Sequence, residues 1–384
     1  ALYRAITLMV AASPCALIIS TPASILSAIG NGARRGILFK GGVHVEQAAS
    51  IRAIAFDKTG TLTEGKPVVE DVIAYGSWTE TDVLRAAAAL ESKSDHVIAR
   101  AISEHVDERN IAFSVPKHFH STSGIGIRAE VDGRQLVLGS PAVLEAPGDS
   151  DAPADETVST DTTSLADVQQ EILRLQREVK TVIVLADENT KEVFGLISLI
   201  DRLRPGVREV LNDLRRNGIE HIAMLTGDNE ETAKAIANQA GIDEVFPGLL
   251  PEHKLNAVKR IEEQYGKTAM IGDGINDAPA LAGARLGIAM GAAGTDVALE
   301  TADIVLMSDD LRMLPYLIAL SRKTRKTLVT NISLALGLIA IMIAGIFSVG
   351  LALPLAVIGH EGGTVLVSLN GVRLLLFNYK QKQL

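Results

Sequence analysis

Ile51-Arg-Ala-Ile-Ala-Phe56 is an apolar run that reads as a buried strand, and Asp57-Lys-Thr-Gly-Thr-Leu-Thr63 follows it directly. A carboxylate at the carboxyl end of a strand sits where open α/β sheets bind their ligands. Such an aspartate can attack phosphorus as a nucleophile, while the Thr-Gly-Thr turn lets backbone N–H groups approach phosphate oxygens. Three further groups fit the same work. Thr226-Gly-Asp228 offers a hydroxyl to a phosphate oxygen, and Lys254 offers a charge to neutralise it. Gly272-Asp273-Gly274-Ile275-Asn276-Asp277 offers two carboxylates for Mg²⁺, a hard cation that prefers oxygen. Phosphoryl transfer depends on in-line positioning and charge neutralisation above all. Taken singly, Asp, Thr and Gly are commoner as turn residues; four such groups on successive strand ends describe a reaction.

The elements that must position them alternate. A helix opening at Pro205 is expected, because proline's missing N–H costs nothing there. Strand His221–Leu225, helices Glu230–Ala240 and Glu252–Tyr265, strand Thr268–Ile271 and short strands near Gly287–Met290 and Ile304–Met307 follow. Together with a strand at Val193–Leu199 this predicts a doubly wound parallel sheet. Between its halves lies an inserted α+β domain, residues 67–192. It has helices at Thr81–Leu90 and near His96–Arg109, and a hairpin of Gly126–Val131 and Gln135–Gly139 about Asp132-Gly133. Ala146–Thr163, rich in Asp, Pro, Ser and Thr, reads as a solvated loop.

Hydrophobicity gathers at the two ends. No charged side chain occurs from Ala5 to Ala33, nor from Thr327 to Gly359, and both runs exceed the roughly 20 residues that span a bilayer. A break at Gly350–Pro354, with apolar residues continuing past His360-Glu361 to Val372, turns the second run into a hairpin. Three spans are therefore expected. Basic residues flank them at Arg34-Arg35, at Arg322, Lys323, Arg325 and Lys326, and at Arg373, Lys380 and Lys382. Such clusters stay cytoplasmic, which puts the catalytic body in the cytoplasm beneath an inner (plasma) membrane. The expected domains are 1–33 and 322–384 in the membrane, 34–66 and 193–321 for phosphorylation, and 67–192 inserted. A secretory signal is the competing reading of the first run, but that run is too long for one and the double arginine lies on its far side.

Net charge is 37 − 46 = −9, which speaks against a nucleic-acid partner. Cys15 is the single cysteine, so neither an intrachain disulfide nor a thiolate zinc cluster is available. It lies in Ser13-Pro14-Cys15 within the first span, where proline opens the helix. His360-Glu361-Gly362-Gly363-Thr364 lies within the last one, and an ionisable pair in a span is a functional-site hypothesis by default. Cys, His and Glu together suit a borderline divalent metal such as Co²⁺ or Zn²⁺.

Asp57 to Thr63 with Thr226-Gly-Asp228 and Gly272 to Asp277 resembles a P-type ATPase, whose phosphorylation domain belongs to the haloacid dehalogenase superfamily. The resemblance implies ATP and Mg²⁺ as cofactors, phosphorylation at Asp57, and Mg²⁺ held by Asp57, the Thr59 carbonyl and Asp273. Lys58, Asn276 and Asp277 belong to the same motifs, and Thr226 and Lys254 match the family's phosphate-binding residues. The inserted domain becomes the nucleotide-binding one, with Glu91, then Ser94-Asp95-His96-Val97, then Gly124-Ile125-Gly126; Val97 stands where heavy-metal pumps carry proline. Ser-Pro-Cys with His-Glu-Gly-Gly-Thr resembles the cobalt/zinc/cadmium subgroup, which makes Ser13, Cys15, His360, Glu361 and Thr364 the expected cargo ligands or their neighbours. Glu361 is alternatively a built-in counter-ion.

Pumps of this type also have earlier membrane helices and an actuator domain with a Thr-Gly-Glu loop, a tripeptide absent here. The sequence is thus expected to be the catalytic and C-terminal membrane part of something longer, able to accept phosphate but slow to release it. The alternative is a membrane-anchored phosphatase with the same nucleophile. Such enzymes normally place a second Asp two residues further on, where this chain has Thr59.

Overall fold

Pro14 splits the first apolar run. In this computed structural model, which describes residues 2–94, 96–122, 126–144, 164–274, 277–291 and 296–379, helix α1 is Leu2–Ala11 and α2 is Cys15–Ala33. Proline cannot donate the helical hydrogen bond, so the break falls there; Pro22 lies inside α2 without ending it. Next come strand β1 (Ile37–Phe39), helix α3 (Gly42–Ala49) and strand β2 (Ala53–Asp57). The inserted region contains β3 (Val68–Ala74), α4 (Glu80–Glu91), α5 (Val97–Glu108), β4 (Lys117–Thr122), β5 (Gly126–Val131) and β6 (Arg134–Gly139), then α6 (Leu165–Arg177), β7 (Thr181–Asp187) and β8 (Val193–Ile200). After it run α7 (Val207–Arg216), β9 (His221–Leu225), α8 (Glu230–Ala240), β10 (Glu244–Phe246), α9 (Pro251–Tyr265), β11 (Thr268–Gly272), α10 (Ala278–Gly283), β12 (Leu286–Met290), α11 (Asp296–Thr301) and β13 (Ile304–Leu306). Helices α12 (Met313–Ser348) and α13 (Leu353–Val372) follow, and a short turn, Arg373–Leu376, leads to the last described residue, 379.

Two sheets result. The first has the order β1-β13-β12-β11-β2-β9-β10 and is parallel except for β1, which runs antiparallel to β13. The second, β3-β8-β7-β6-β5-β4, is antiparallel throughout. One expectation fails here. The strand beginning at Val193 belongs to the second sheet, between β3 and β7, and does not reopen the parallel one, so the insertion extends through Ile200 rather than stopping at 192. The reason is burial on both faces: Phe194, Ile197 and Leu199 pack with α4 and α5, whereas Val193 and Leu196 pack with α6. A strand covered on both sides loses the alternation that marks an antiparallel sheet. The loop read at 146–163 lies outside the described residues, as do Lys380 and Lys382.

Stretches 2–33 and 313–348 are long and apolar enough to cross a membrane. The third expected span, α13, is 20 residues long with His360 and Glu361 inside it, and it packs along both α2 and α12. Close approach is possible because Gly371 has no side chain: a Cβ there would come within 2.4 Å of Ser24 Oγ. Asn331 ties the helices by donating to the Val367 carbonyl at 2.9 Å and accepting from Asn370 at 2.7 Å. Helix α12 does not stop at the catalytic body. Its first turns bury Leu314, Tyr316, Leu317, Ile318 and Leu320 in the core of the parallel sheet, and the same helix continues into the apolar run.

Candidate active site

Asp57 ends β2, a strand buried along its whole length with β11 on one side and β9 on the other. The carboxyl ends of these three strands carry Asp57, Thr226 and Asp273, so the sheet itself gathers what the sequence scatters. Lys254 reaches them from the first turn of α9, which opens at Pro251. Its Nζ lies 2.6 Å from Asp57 Oδ1 and 2.5 Å from Asp277 Oδ1, with all three side chains buried. A cation at a helix N-terminus opposes the helix dipole; two carboxylates offset that here.

Burial pushes the Asp57 carboxyl up to about 7; the negative charge of Asp277 adds to this, and Lys254 pulls it partly back. For Lys254, burial works against the charge, but Asp57 and Asp277 outweigh it and hold the ammonium above its usual range. Asp277 Oδ2 is buried with no hydrogen-bond partner among the described residues. An unpaired buried carboxylate oxygen is costly and calls for an explanation.

The loop after Asp57 turns at Gly60, whose φ of +71° suits glycine. A Cβ there would meet Asp273 Oδ2 at 3.2 Å, so the Asp273 carboxylate lies directly beside the turn. Lys58 pairs with Asp228 at 2.6 Å, binding the nucleophile loop to the end of β9, and the Thr226 hydroxyl accepts from the Asp228 N–H at 3.1 Å. The Asp57 and Asp277 carboxylates meet at Lys254, Asp273 lies beside the turn at Gly60, and the Thr226 hydroxyl stands at the end of the neighbouring strand β9, an oxygen donor set with no sulfur or imidazole. That donor set, with the orphaned Asp277 oxygen and the Asp273 carboxylate lying against Gly60, fits a hard cation such as Mg²⁺. Asn276 lies outside the described residues.

Sequence reasoning missed the clamp that holds this loop. Arg204 donates to the carbonyls of Gly60 at 2.8 Å and Thr63 at 2.9 Å and pairs with Asp309 at 2.8 Å. Asp201 accepts from the Thr63 hydroxyl at 2.6 Å and the Gly65 N–H at 3.0 Å. The available signal was Asp201-Arg-Leu-Arg204 just before Pro205, at the return from the insertion.

In the second sheet's layer, Glu91 ends α4 and is buried, its Oε2 unpaired among the described residues and its carboxyl raised by burial. His96 caps α5, Nδ1 accepting from the Ile98 N–H at 3.3 Å, and burial lowers its pKa. Ser94 stands between them, its hydroxyl accepting from the His96 N–H at 3.3 Å. Gly126 opens β5 opposite Gly139, where a Cβ would come within 2.3 Å of the Leu138 carbonyl. Asp95, Gly124 and Ile125 lie outside the described residues.

In the apolar helices, Ser13 Oγ and Cys15 Sγ lie 3.0 Å apart at the break between α1 and α2. His360 and Thr364 are buried one turn apart on α13, the Thr364 hydroxyl donating to the His360 carbonyl at 3.1 Å. Glu361 points outward, its side chain 67% exposed. Among the described residues no three His, Cys, Asp or Glu side chains gather closely enough to hold a metal ion.

Residues 51–285 match the haloacid dehalogenase-like hydrolases. The chain belongs to that family. Over nearly all its length it is also similar to transport ATPases. It is 44% identical over 373 residues to a zinc-transporting ATPase of Bacillus subtilis (strain 168), covering 97% of this chain and 56% of that protein. It is 42% identical over 377 residues to a probable cadmium-transporting ATPase of Alkalihalophilus pseudofirmus, covering 97% and 50%. A crystal structure of a zinc-transporting PIB-type ATPase in an E2.Pi state superposes with a TM-score of 0.69 at 39% identity, covering 94% of this chain and 56% of that one. The chain thus spans about half the length of the relatives it matches. For this haloacid dehalogenase-like chain the resemblance to heavy-metal P-type ATPases, drawn from its motifs, is borne out.

Proposed function

We propose that this chain is the catalytic and C-terminal membrane part of an ATP-driven pump that exports a divalent transition metal, cobalt, zinc or cadmium, through an aspartyl phosphate. The observation that carries the reading is Lys254, shared between Asp57 and Asp277 at the mouth of the parallel sheet. Asp57 attacks the γ-phosphorus of ATP in line; the bond to the β,γ-bridging oxygen breaks, and ADP leaves with that electron pair. Lys254 and the Thr226 hydroxyl neutralise and orient the phosphoryl oxygens. Asp277 keeps Lys254 aligned once the Asp57 carboxylate is esterified. Mg²⁺, held by Asp57, the Thr59 carbonyl and Asp273, would supply the charge neutralisation that phosphoryl transfer needs. Thr59 has no carboxyl with which to activate water, which favours a lasting phosphoenzyme over a phosphatase cycle.

ATP is read at Glu91, His96, Gly124 and Gly126, and the cargo at Ser13, Cys15, His360, Glu361 and Thr364. The basic clusters beside α2, α12 and α13 support an inner (plasma) membrane setting with both sheets in the cytoplasm. An actuator domain and further membrane helices complete the pump, and no nucleic acid takes part.

The test is labelling by γ-³²P-ATP in membranes holding the protein. An acid-stable, hydroxylamine-labile label that vanishes in Asp57→Asn supports the reading; hydroxylamine-resistant label, or label surviving that substitution, overturns it. Cys15→Ala and His360→Ala should change the metal dependence of labelling. Identical labelling with every divalent metal refutes the cargo assignment.

A further inference from the structure

A groove of about 510 Å³ runs along the end of α13, walled by Leu366, Leu369, Val372 and Leu376 and interrupted only by Asn370 and Arg373 among its polar residues. A second cavity of about 270 Å³ shares Asn370, Arg373 and Leu376 with it and adds Lys323 and Thr327 from α12. The two form one slot, apolar at one end and cationic at the other.

Among the described residues its cations form no ion pair. Arg322, Arg34 and Arg35, at the same level, are taken up: Arg322 donates to backbone carbonyls of the catalytic body, Arg34 to the Leu375 carbonyl, and Arg35 to Asn378. Neither the Lys323 ammonium nor the Arg373 guanidinium meets a carboxylate among the described residues. The slot is also built in advance. Asn31 donates to the carbonyls of Leu374, Leu375 and Phe377 at 2.9–3.0 Å, fixing the turn that carries Arg373 and Leu376. Asn331 fixes Asn370 at 2.7 Å.

We propose that this slot binds an anionic phospholipid of the cytoplasmic leaflet, its phosphate between Lys323 and Arg373 and one acyl chain along Leu366, Leu369 and Leu376. A soluble phosphate has no use for the apolar wall. A zwitterionic headgroup brings a cation towards two cations. A lipid with net negative charge satisfies both ends, and each basic residue at such a surface is worth about fivefold in binding. The inference rests on α12 and α13 being membrane helices, and resistance of the protein to alkaline extraction reports on that separately.

The probe is phosphatidylglycerol against phosphatidylcholine, read by native mass spectrometry of the whole chain released from detergent. Retained phosphatidylglycerol should exceed phosphatidylcholine several-fold. Lys323→Gln with Arg373→Gln should remove that preference, roughly 25-fold at full effect. Leu369→Trp, which fills the groove and leaves the charges, should lower retention of both lipids. Equal retention of the two lipids overturns the proposal. So does an equal loss in Arg325→Gln with Lys326→Gln, which would mean attraction to the basic collar alone. Competition by inorganic phosphate at millimolar concentration, or crosslinking of Leu369→Cys to protein instead of to a photoactivatable phosphatidylglycerol, also refutes it.

Discussion

The Arg322 guanidinium donates to the carbonyl oxygen of Ile51 at 2.9 Å. Ile51 leads into β2, whose other end is Asp57, and Arg322 belongs to the helix that runs on into the apolar span. The same side chain reaches the carbonyls of Asn217 and Gly218 beyond the end of α7. One residue thus joins the base of β2 to α12, the helix long and apolar enough to cross a membrane. Arg322→Gln should cost about 2–3 kcal/mol through lost charge-assisted bonds, seen as a lower urea midpoint. Label should still form on Asp57, but its dependence on added divalent metal should weaken; unchanged metal dependence would make Arg322 a purely structural residue.

If Asp57 holds Mg²⁺ as proposed, the ion and a proton compete for the same carboxylate. With the carboxyl held at about 7, apparent Mg²⁺ affinity should rise about tenfold between roughly pH 6 and pH 8, with proton release that calorimetry in two buffers detects. Asp57→Asn should remove both effects. The sign for folding is the reverse of the usual aspartate. The folded carboxyl keeps a proton that the unfolded one, at 3.8, has lost. Metal-free stability therefore falls as pH climbs from about 4 to about 7 and then levels.

Glu91 makes a parallel case in the inserted layer. Burial raises its carboxyl above the ordinary 4.5, so the folded state loses stability as pH rises through that window. Glu91→Gln should be more stable than wild type at neutral pH by about 1 kcal/mol, with the gain vanishing near pH 4 in thermal melts. If Glu91 reads the nucleotide, the same variant binds ATP more weakly, so stability and binding move in opposite directions.

Gly272→Ala should silence the site without unfolding the sheet. The added methyl would stand 2.6 Å from Asp277 Oδ2, and Asp277 is fully buried with nowhere to swing. Displacing it breaks the Lys254 bridge. Labelling of Asp57 should fall at least tenfold, a loss of about 1.4 kcal/mol or more, while circular dichroism stays that of the wild type.

How much was legible differs by residue. Asp57, its Thr-Gly-Thr turn, Thr226 and Asp273 were readable because each is a short contiguous signal at the end of an apolar run. Helix Glu230–Ala240 was equally plain, because Asn229 supplies the cap just before the first helical residue and Gly241 the left-handed stop. The sheet of β8 was not, since a strand buried on both faces carries no period to betray its neighbours.

What the linear order of residues determined by itself is therefore the local pattern: an aspartate at a strand end, the charged and hydroxyl groups that would serve it, and ends long and apolar enough to cross a membrane. Tertiary structure decided who meets whom. It set Lys254 between Asp57 and Asp277, clamped the loop after Asp57 with Arg204 and Asp201, and tied β2 to α12 through Arg322. It also left Lys323 and Arg373 without a carboxylate partner among the described residues, beside an apolar groove. Motifs are written in neighbouring residues; pairings across a hundred or more positions depend on which surfaces bury together, and no local pattern records that.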